Sequence, residues 1–539
     1  MTQQTLATKH PKGLYPLFFT EMWERFGYYL MLGILFLYMT DSLKGGLGFG
    51  EEKANDLYGT YLALVYLTPF IGGLLADRVF GYRKTIIVGG ALMAAGYLTL
   101  ALPGATPFYV ALGLIIVGNG FFKPNISTLL GNLYNKPEYQ HLKDKGYNIF
   151  YMGINIGSFF CNFVAAWLRN EYGWGWAFGA AGVGMVVGLI TFIANQDSVA
   201  EVDVIKPATA EDMSLSQIFM TIFLPAIGFA VFGYFSASIF GQENLLGSKS
   251  NDVFLFACLP VTYFYLRTYL KASAEDKKPV GAMLYIFAVV IIFWAIFHQN
   301  GNVLTTWAER NTWREVPAAL ASPLNKVGMI QEVSSEPTMI DGKAVYADYL
   351  KNLPADQKPA AGSKLSLIST ELFQSINPFF VVLFTPLLIA FFTWLGSRKR
   401  TLSTPSKIAW GLFITGLSTL IMIAAVKLSG NGADKVSAWW LIATYAVITV
   451  GELCLSPMGL SLVSKLSPPR LTALMMGGWF LSTSIGNKLA GILGHLGSDS
   501  TDKSLVFWIN FGGATLSALL LFMMAKKFAA IVRDKTGGD

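Results

Sequence analysis

Apolar runs long enough to cross a bilayer recur about fourteen times along the chain, separated by polar or charged links. The first six lie at about 14–39, 55–76, 85–102, 108–130, 147–168 and 174–194. A polar linker at 195–216 follows, then two further runs at about 217–240 and 253–270. A charged link at 271–278 leads to six more, at about 280–304, 367–395, 406–426, 438–463, 471–493 and 504–531. The pattern predicts an all-α integral membrane protein with twelve core spans in two six-helix bundles and two inserted spans, fourteen in total. Its expected parts are an N-terminal bundle at 1–195, a linker with the inserted pair at 196–279, and a C-terminal bundle at 280–539. The C-terminal part carries a long loop at about 305–366. There Asp341-Gly342, between Met339-Ile340 and Ala344-Val345, predicts a short hairpin. A lid over a cavity and a passive insertion are both compatible with such a loop.

The links alternate in charge. Arg78, Arg83 and Lys84 follow the second run, and Lys136, Lys143 and Lys145 the fourth. Arg267, Lys271, Lys277 and Lys278 follow the eighth, Arg398, Lys399 and Arg400 the tenth, and Lys526, Lys527, Arg533 and Lys535 the last. The intervening links have few basic residues, 41–56 being net acidic and 103–107 uncharged, so the positive-inside rule puts both termini in the cytoplasm. The linker after the sixth run departs from this, with Lys206 its only basic residue. Residues 1–12 are polar and precede a full-length run containing charges, unlike the short uncharged core of a cleavable signal.

Composition narrows the class. Of 539 residues 53% are hydrophobic and only 14% charged, where a soluble protein carries about 25% charged. The net charge of +7 comes from basic residues in short links rather than on one face of a soluble domain, which excludes nucleic acid as a partner. Cys161, Cys258 and Cys454 all fall in apolar runs, with neither disulfide framework nor metal spacing. No HExxH pair, GxSxG elbow or phosphate loop occurs, so nothing points to an enzyme.

The first run carries the chemistry. At 100° per residue, Glu21, Glu24, Arg25 and Tyr28 fall within an arc of roughly 100° on one helix face. Each ionised group near mid-membrane costs on the order of 2.5–3.5 kcal/mol on insertion scales. The plain explanation is a self-neutralising cluster that joins two helices. The sharper one is an ion and substrate site in a water-filled cavity.

Two six-helix halves around a central site is the plan of a major-facilitator transporter. The segment Gly72-Gly73-Leu74-Leu75-Ala76-Asp77-Arg78 with Gly81-Tyr82-Arg83-Lys84 resembles the loop motif between the second and third helices of that superfamily. Asp77 is expected to brace one conformation by pairing with a basic group or a helix end.

Glu21-x-x-Glu24-Arg25-Phe26-x-Tyr28-Tyr29 resembles the first-helix signature of the proton-dependent oligopeptide transporter family. Similar matches are Gly118-Asn119-Gly120-Phe121-Phe122-Lys123-Pro124-Asn125, Phe293-Trp294-Ala295-Ile296-Phe297-His298-Gln299 and Phe373-Gln374-Ser375-Ile376-Asn377-Pro378. Further matches are Gly451-Glu452-Leu453-Cys454-Leu455-Ser456-Pro457 and Trp479-Phe480-Leu481-Ser482. The inserted pair matches the bacterial branch. The resemblance implies a proton-coupled importer of di- and tripeptides in the cell inner (plasma) membrane, working as a monomer on a proton gradient without a cofactor. An amino acid, nitrate or a peptide-like drug remains the alternative solute. It also implies substrate contacts at Arg25, Tyr28, Tyr29, Tyr66, Lys123, Asn155, Trp294, Asn377, Glu452 and Trp479. Proton coupling falls to Glu21, Glu24, Arg25 and His298, and gating to Asp77, Lys123, Pro124, Glu452 and Pro457.

The residue types suit those roles. A zwitterionic peptide needs a cation for its carboxylate, an anion for its ammonium and polar partners for the amide between. Arg25 and Lys123 lie in one half and Glu452 in the other, with the amides of Asn155 and Asn377 in apolar runs. Pro124 and Pro457 each remove a helix hydrogen bond and make a local bend plausible. A substrate carboxylate that captures Arg25 leaves Glu21 or Glu24 unsupported and readier to take a proton. Substrate and proton then favour each other, reciprocally. The chain also departs from its relatives. Many carry an acid where this chain has His298, and several an arginine where it has Leu32. The usual outer salt bridge is thus absent, and the outer closure must be built differently.

Overall fold

The structure is a computed structural model describing residues 7–205, 213–340, 342–353, 359–360, 362–468 and 471–536. The first six spans are α1 (Leu14–Thr40), α2 (Glu51–Leu75), α3 (Tyr82–Leu100), α4 (Ala105–Leu133), α5 (Lys143–Tyr172) and α6 (Trp174–Asn195). The inserted pair is α7 (Leu215–Ile218) continued by α8 (Leu224–Ile239) through a π-helical turn, then α9 (Lys249–Leu270). The second half has α10 (Ala274–Phe297), α11 (Val303–Asn311), α12 (Ala318–Lys326), α13 (Asp348–Lys351), α14 (Ile376–Ser397), α15 (Thr404–Leu428), α16 (Trp439–Leu466), α17 (Thr472–Asp499) and α18 (Leu505–Thr536). Counting α7 with α8 and omitting the short α11–α13, the described residues hold fourteen long helices. Length and hydropathy alone qualify eleven as spans and pass over α1, α3 and α17. The charges of α1 and Lys488 of α17 sit where packing against other helices, not lipid, surrounds them.

Two apolar cores organise the helices. One runs from Leu14 to Val202, and the other joins α10 and α15–α18 to the inserted pair and to Ala63 and Leu74 of α2. The halves meet along α2 and α17, and again where α5 meets α14. Gly59 permits the first meeting, since a Cβ there would lie 2.8 Å from the Cα of Gly491. Gly72 does the same within the first half, where a Cβ would strike the carbonyl oxygen of Gly120. That carbonyl lies four residues before Pro124, which cannot bond to it.

Two boundaries differ from the apolar pattern. The run expected to reach residue 304 stops at Phe297, gives way to a 3-10 turn at His298–Gly301, and resumes as α11. The polar stretch His298-Gln299-Asn300-Gly301-Asn302 makes cross-helix bonds there, Gln299 with Asn510 and Asn302 with Asn55. The run expected from residue 367 begins as strand and 3-10 turn before α14.

The long loop lies between α11 and α14, and its described residues include short helices and strands. Here the all-α expectation is modified by short strands: β2 (Ile330–Ser334) pairs antiparallel with β5 (Lys364–Ile368), and β3 (Thr338–Ile340) with β4 (Lys343–Val345). The second pair is the expected hairpin, with Asp341 itself outside the described residues. In addition β1 (Thr312–Trp313) pairs in parallel with β6 (Val436–Ser437). The insertion also grips the first half: Asn170 of α5 donates to Ile330 O (2.9 Å) and Ser369 Oγ (2.7 Å). Gly328 (φ +71°) lies against Trp167.

Candidate functional site

Within α1 the expected face forms. Arg25 Nε lies 3.1 Å from Glu21 Oε1, and its guanidinium forks onto Glu24, with Nη2 to Oε1 at 2.7 Å. All three side chains are buried. Glu24 is fully enclosed behind Arg25. Glu21 keeps Oε2 without a hydrogen-bond partner among the described residues.

In front of this cluster lies a cavity of about 280 Å³ between the halves. Glu21, Arg25, Tyr28, Tyr29, Tyr66, Lys123 and Asn155 line it from the first half, and Trp294, His298, Asn377 and Glu452 from the second. Residues from seven helices and one 3-10 turn thus converge on one space, as their roles require. Lys123 Nζ lies 4.2 Å above the ring of Tyr66 and, among the described residues, has no carboxylate within ion-pair distance. Glu452 Oε2 accepts from Asn377 Nδ2 at 2.9 Å, and the same nitrogen lies 2.9 Å from Thr449 Oγ1. Lys123 and Glu452 are therefore not closed on each other in this conformation. Several lining groups are buried with atoms that have no hydrogen-bond partner among the described residues, including Tyr28 OH, Trp294 Nε1, Asn162 Oδ1 and Ser456 Oγ. Buried polar atoms without partners cost about 1–3 kcal/mol each, so such a cluster marks a place for a polar ligand.

His298 and Leu32 face the same cavity. The His298 ring packs between Tyr66 and Trp294, with centroids 5.5 and 5.6 Å away, and Nδ1 lies 3.3 Å from Trp294 O. Gln299 turns away to Asn510.

The remaining candidates lie elsewhere. Trp479 is buried behind the wall, edge-on to Trp294 at 6.4 Å and packed over Gly459, so it supports the cavity without lining it. Pro124 and Pro457 sit inside the unbroken helices α4 and α16. Asp77 accepts from the Tyr82 hydroxyl rather than from a basic group. The nearby Arg83 is taken by Asp203 at 2.9 Å, which leaves Asp77 to the phenol beside it.

Sequence reasoning missed a polar stripe on α5. Of that stripe only Asn155 was expected; Ser158 and Asn162 continue it along the cavity at helical spacing, a signal present in the sequence. It also missed the contacts that join the halves toward the insertion. Asn162 Nδ2 donates to Ser375 Oγ at 3.0 Å, and Arg169 Nη2 meets Glu371 Oε2 at 3.1 Å. Lys488 Nζ of α17 meets Asp56 Oδ1 of α2 at 2.8 Å, with Thr60 and Ser250 completing its shell.

Two helical halves closed at one end around a cavity with cations on one side and a carboxylate on the other define a multi-pass membrane carrier of the major-facilitator type. The chain matches the POT family over residues 83–330 and 363–509, and it belongs to that family. It is 35% identical over 499 residues to the uncharacterized transporter YclF of Bacillus subtilis, covering 90% of this chain and 88% of that one. It is 30% identical over 523 residues to a di-/tripeptide transporter of Lactococcus lactis, covering 95% of each. A crystal structure of a POT peptide transporter in complex with sulfate superposes with a TM-score of 0.76 at 30% identity, covering 98% of both chains.

Proposed function

We propose that this chain is a proton-coupled symporter that imports di- and tripeptides by alternating access. The observation that carries this reading is the division of charge across one cavity. Arg25 and Lys123 face it from one half and Glu452 from the other, with the amides of Asn155 and Asn377 on its walls. A peptide carboxylate is taken by the cations, its ammonium by Glu452, and its amide by the asparagines. Binding then draws the halves together at the end where Lys123 and Glu452 stand apart. A bare anion would be repelled by Glu452, which favours a zwitterion over nitrate.

Coupling follows from the α1 cluster. Glu21 lines the cavity with one free oxygen, whereas Glu24 is enclosed behind Arg25. Glu21 is the group that exchanges a proton when substrate engages Arg25, and Glu24 holds the guanidinium in place. His298 and Leu32 leave the outer closure to Arg169–Glu371 and Asp56–Lys488. The protein sits in the cell inner (plasma) membrane with both termini cytoplasmic, so the insertion faces outward and the Lys123 side inward. It acts as a monomer and as a carrier rather than an enzyme. It draws on the proton gradient with no resident cofactor.

Uptake of a labelled dipeptide into proteoliposomes, with and without an inward proton gradient, tests this directly. Gradient-stimulated uptake, competed by a tripeptide and not by a free amino acid, is expected. Uptake indifferent to the gradient would overturn the symport.

A further inference from the structure

The inserted pair leaves a deep cleft of about 800 Å³ between α8, α9 and the start of α17, on the face turned to the membrane. Its walls are apolar along most of their length, with Phe229, Leu259, Pro260 and Leu474 among them. Its mouth is not: Arg267, Thr268 and Lys271 stand together there, at the last turn of α9. Arg267 and Lys271 are exposed, and among the described residues neither has a carboxylate within ion-pair distance. The floor is fixed to the carrier, because Tyr265 OH donates to Leu474 O at 2.8 Å.

The dimensions and the charge point to one occupant. From Leu259 to Lys271 the helix rises about 18 Å. Half the hydrocarbon core is about 15 Å. The apolar end of the cleft therefore lies near mid-membrane when its basic end lies at the headgroups. An acyl chain fits the first and a phosphate the second, where a guanidinium fork and an ammonium stand one helical turn apart; the Thr268 hydroxyl between them donates to Phe264 O.

We infer that this cleft is a binding site for an anionic phospholipid. Its phosphate is held by Arg267 and Lys271, and one acyl chain lies along Leu259 and Leu474. The site is separate from the peptide cavity and does not depend on the substrate assigned to it. Because its wall includes Leu474 at the start of α17, the helix that carries Lys488, occupancy steadies an element of the interface between the halves.

The test is native mass spectrometry of the purified full-length protein, incubated with equal amounts of phosphatidylglycerol and phosphatidylcholine. The wild type is expected to retain the anionic lipid in preference by at least about fivefold, the factor that one nearby basic residue confers. Arg267→Gln/Lys271→Gln is expected to bring that ratio near one. Leu259→Trp, which fills the cleft and leaves both charges, is expected to reduce retention of either lipid. Thermal melting confirms that each variant folds. Equal retention of both lipids by the wild type would overturn the site. So would a Leu259→Trp protein that binds lipid as the wild type does, since the basic residues would then act as surface charge only.

Discussion

Lys488 and Asp56, 432 residues apart in sequence, form a 2.8 Å ion pair across the seam between the halves. Ser250 of the inserted α9 touches both, donating to Asp56 Oδ1 and lying 2.6 Å from Lys488 Nζ. The lysine side chain is 1% exposed and the aspartate 24%. Removing one partner of a buried pair strands the other, at about 3–5 kcal/mol when burial is complete. Asp56→Asn strands the deeper charge and is expected to lower the melting temperature more than Lys488→Met. Asp56 keeps the donors Ser248 and Ser250 in the latter variant. The double variant is expected to recover part of the loss. A double-mutant cycle from thermal melting measures the coupling, and strictly additive losses would refute it.

Glu21 and Glu24 share Arg25 but not the cavity, which separates their roles. Glu21→Gln leaves the guanidinium fork on Glu24 intact and removes the carboxylate that faces substrate. Gradient-driven uptake is expected to fall by about 5- to 150-fold, the range of a coupling of about 1–3 kcal/mol. Peptide exchange without a gradient should persist. Glu24→Gln is expected to weaken peptide binding as well, since it frees Arg25 to swing. Counterflow and gradient-driven assays on both variants distinguish these outcomes.

Much of this was readable beforehand, and the exceptions share a cause. Fourteen apolar runs correspond to fourteen long helices, though length and hydropathy alone qualify eleven of them as spans, and the α1 cluster follows from helical spacing. The break at His298 was hidden because apolar Val303 and Leu304 extend the run beyond the polar stretch that interrupts it. Asp56 and Lys488 lie near span ends, where charges are common. Nothing local pairs them until α2 packs on α17 through Gly59 and Gly491. Trp479 shows the same limit from the other side. An aromatic ring in an apolar helix reads alike whether it lines a cavity or backs the wall, and only Gly459 beneath it decides.

Glu452, hydrogen-bonded to Asn377, is placed to take the peptide ammonium. A hydrogen bond to a charged group is worth about 1.5–3 kcal/mol. Acetylating the amino terminus of a dipeptide is therefore expected to weaken its competition by about 10- to 150-fold in the wild type. Glu452→Gln should weaken the free dipeptide and nearly abolish the discrimination between the two forms. Competition against a labelled dipeptide in exchange mode reports both. Equal discrimination in wild type and variant would place the ammonium elsewhere.

Lys435 makes the insertion sensitive to alkaline pH. It lies in the link between α15 and α16, where its Nζ donates to Arg310 O at 2.6 Å and stands 3.9 Å over the Tyr349 ring. Burial, and then repulsion from Arg314, push its ammonium down from 10.5 to about 8, against partial support from Glu309 and Glu315. The folded state thus releases this proton before the unfolded one does. Below about pH 8 both states carry the charge and the folded state bears its full cost. Between about pH 8 and 10.5 the unfolded chain binds more protons, so this group's contribution to stability improves as pH rises. Lys435→Met is expected to lose that contribution. The melting temperature of the wild type minus that of the variant should therefore increase from pH 7 to pH 10, other titrations cancelling between the two proteins. A difference that stays flat over that range would show that Lys435 titrates at its ordinary value.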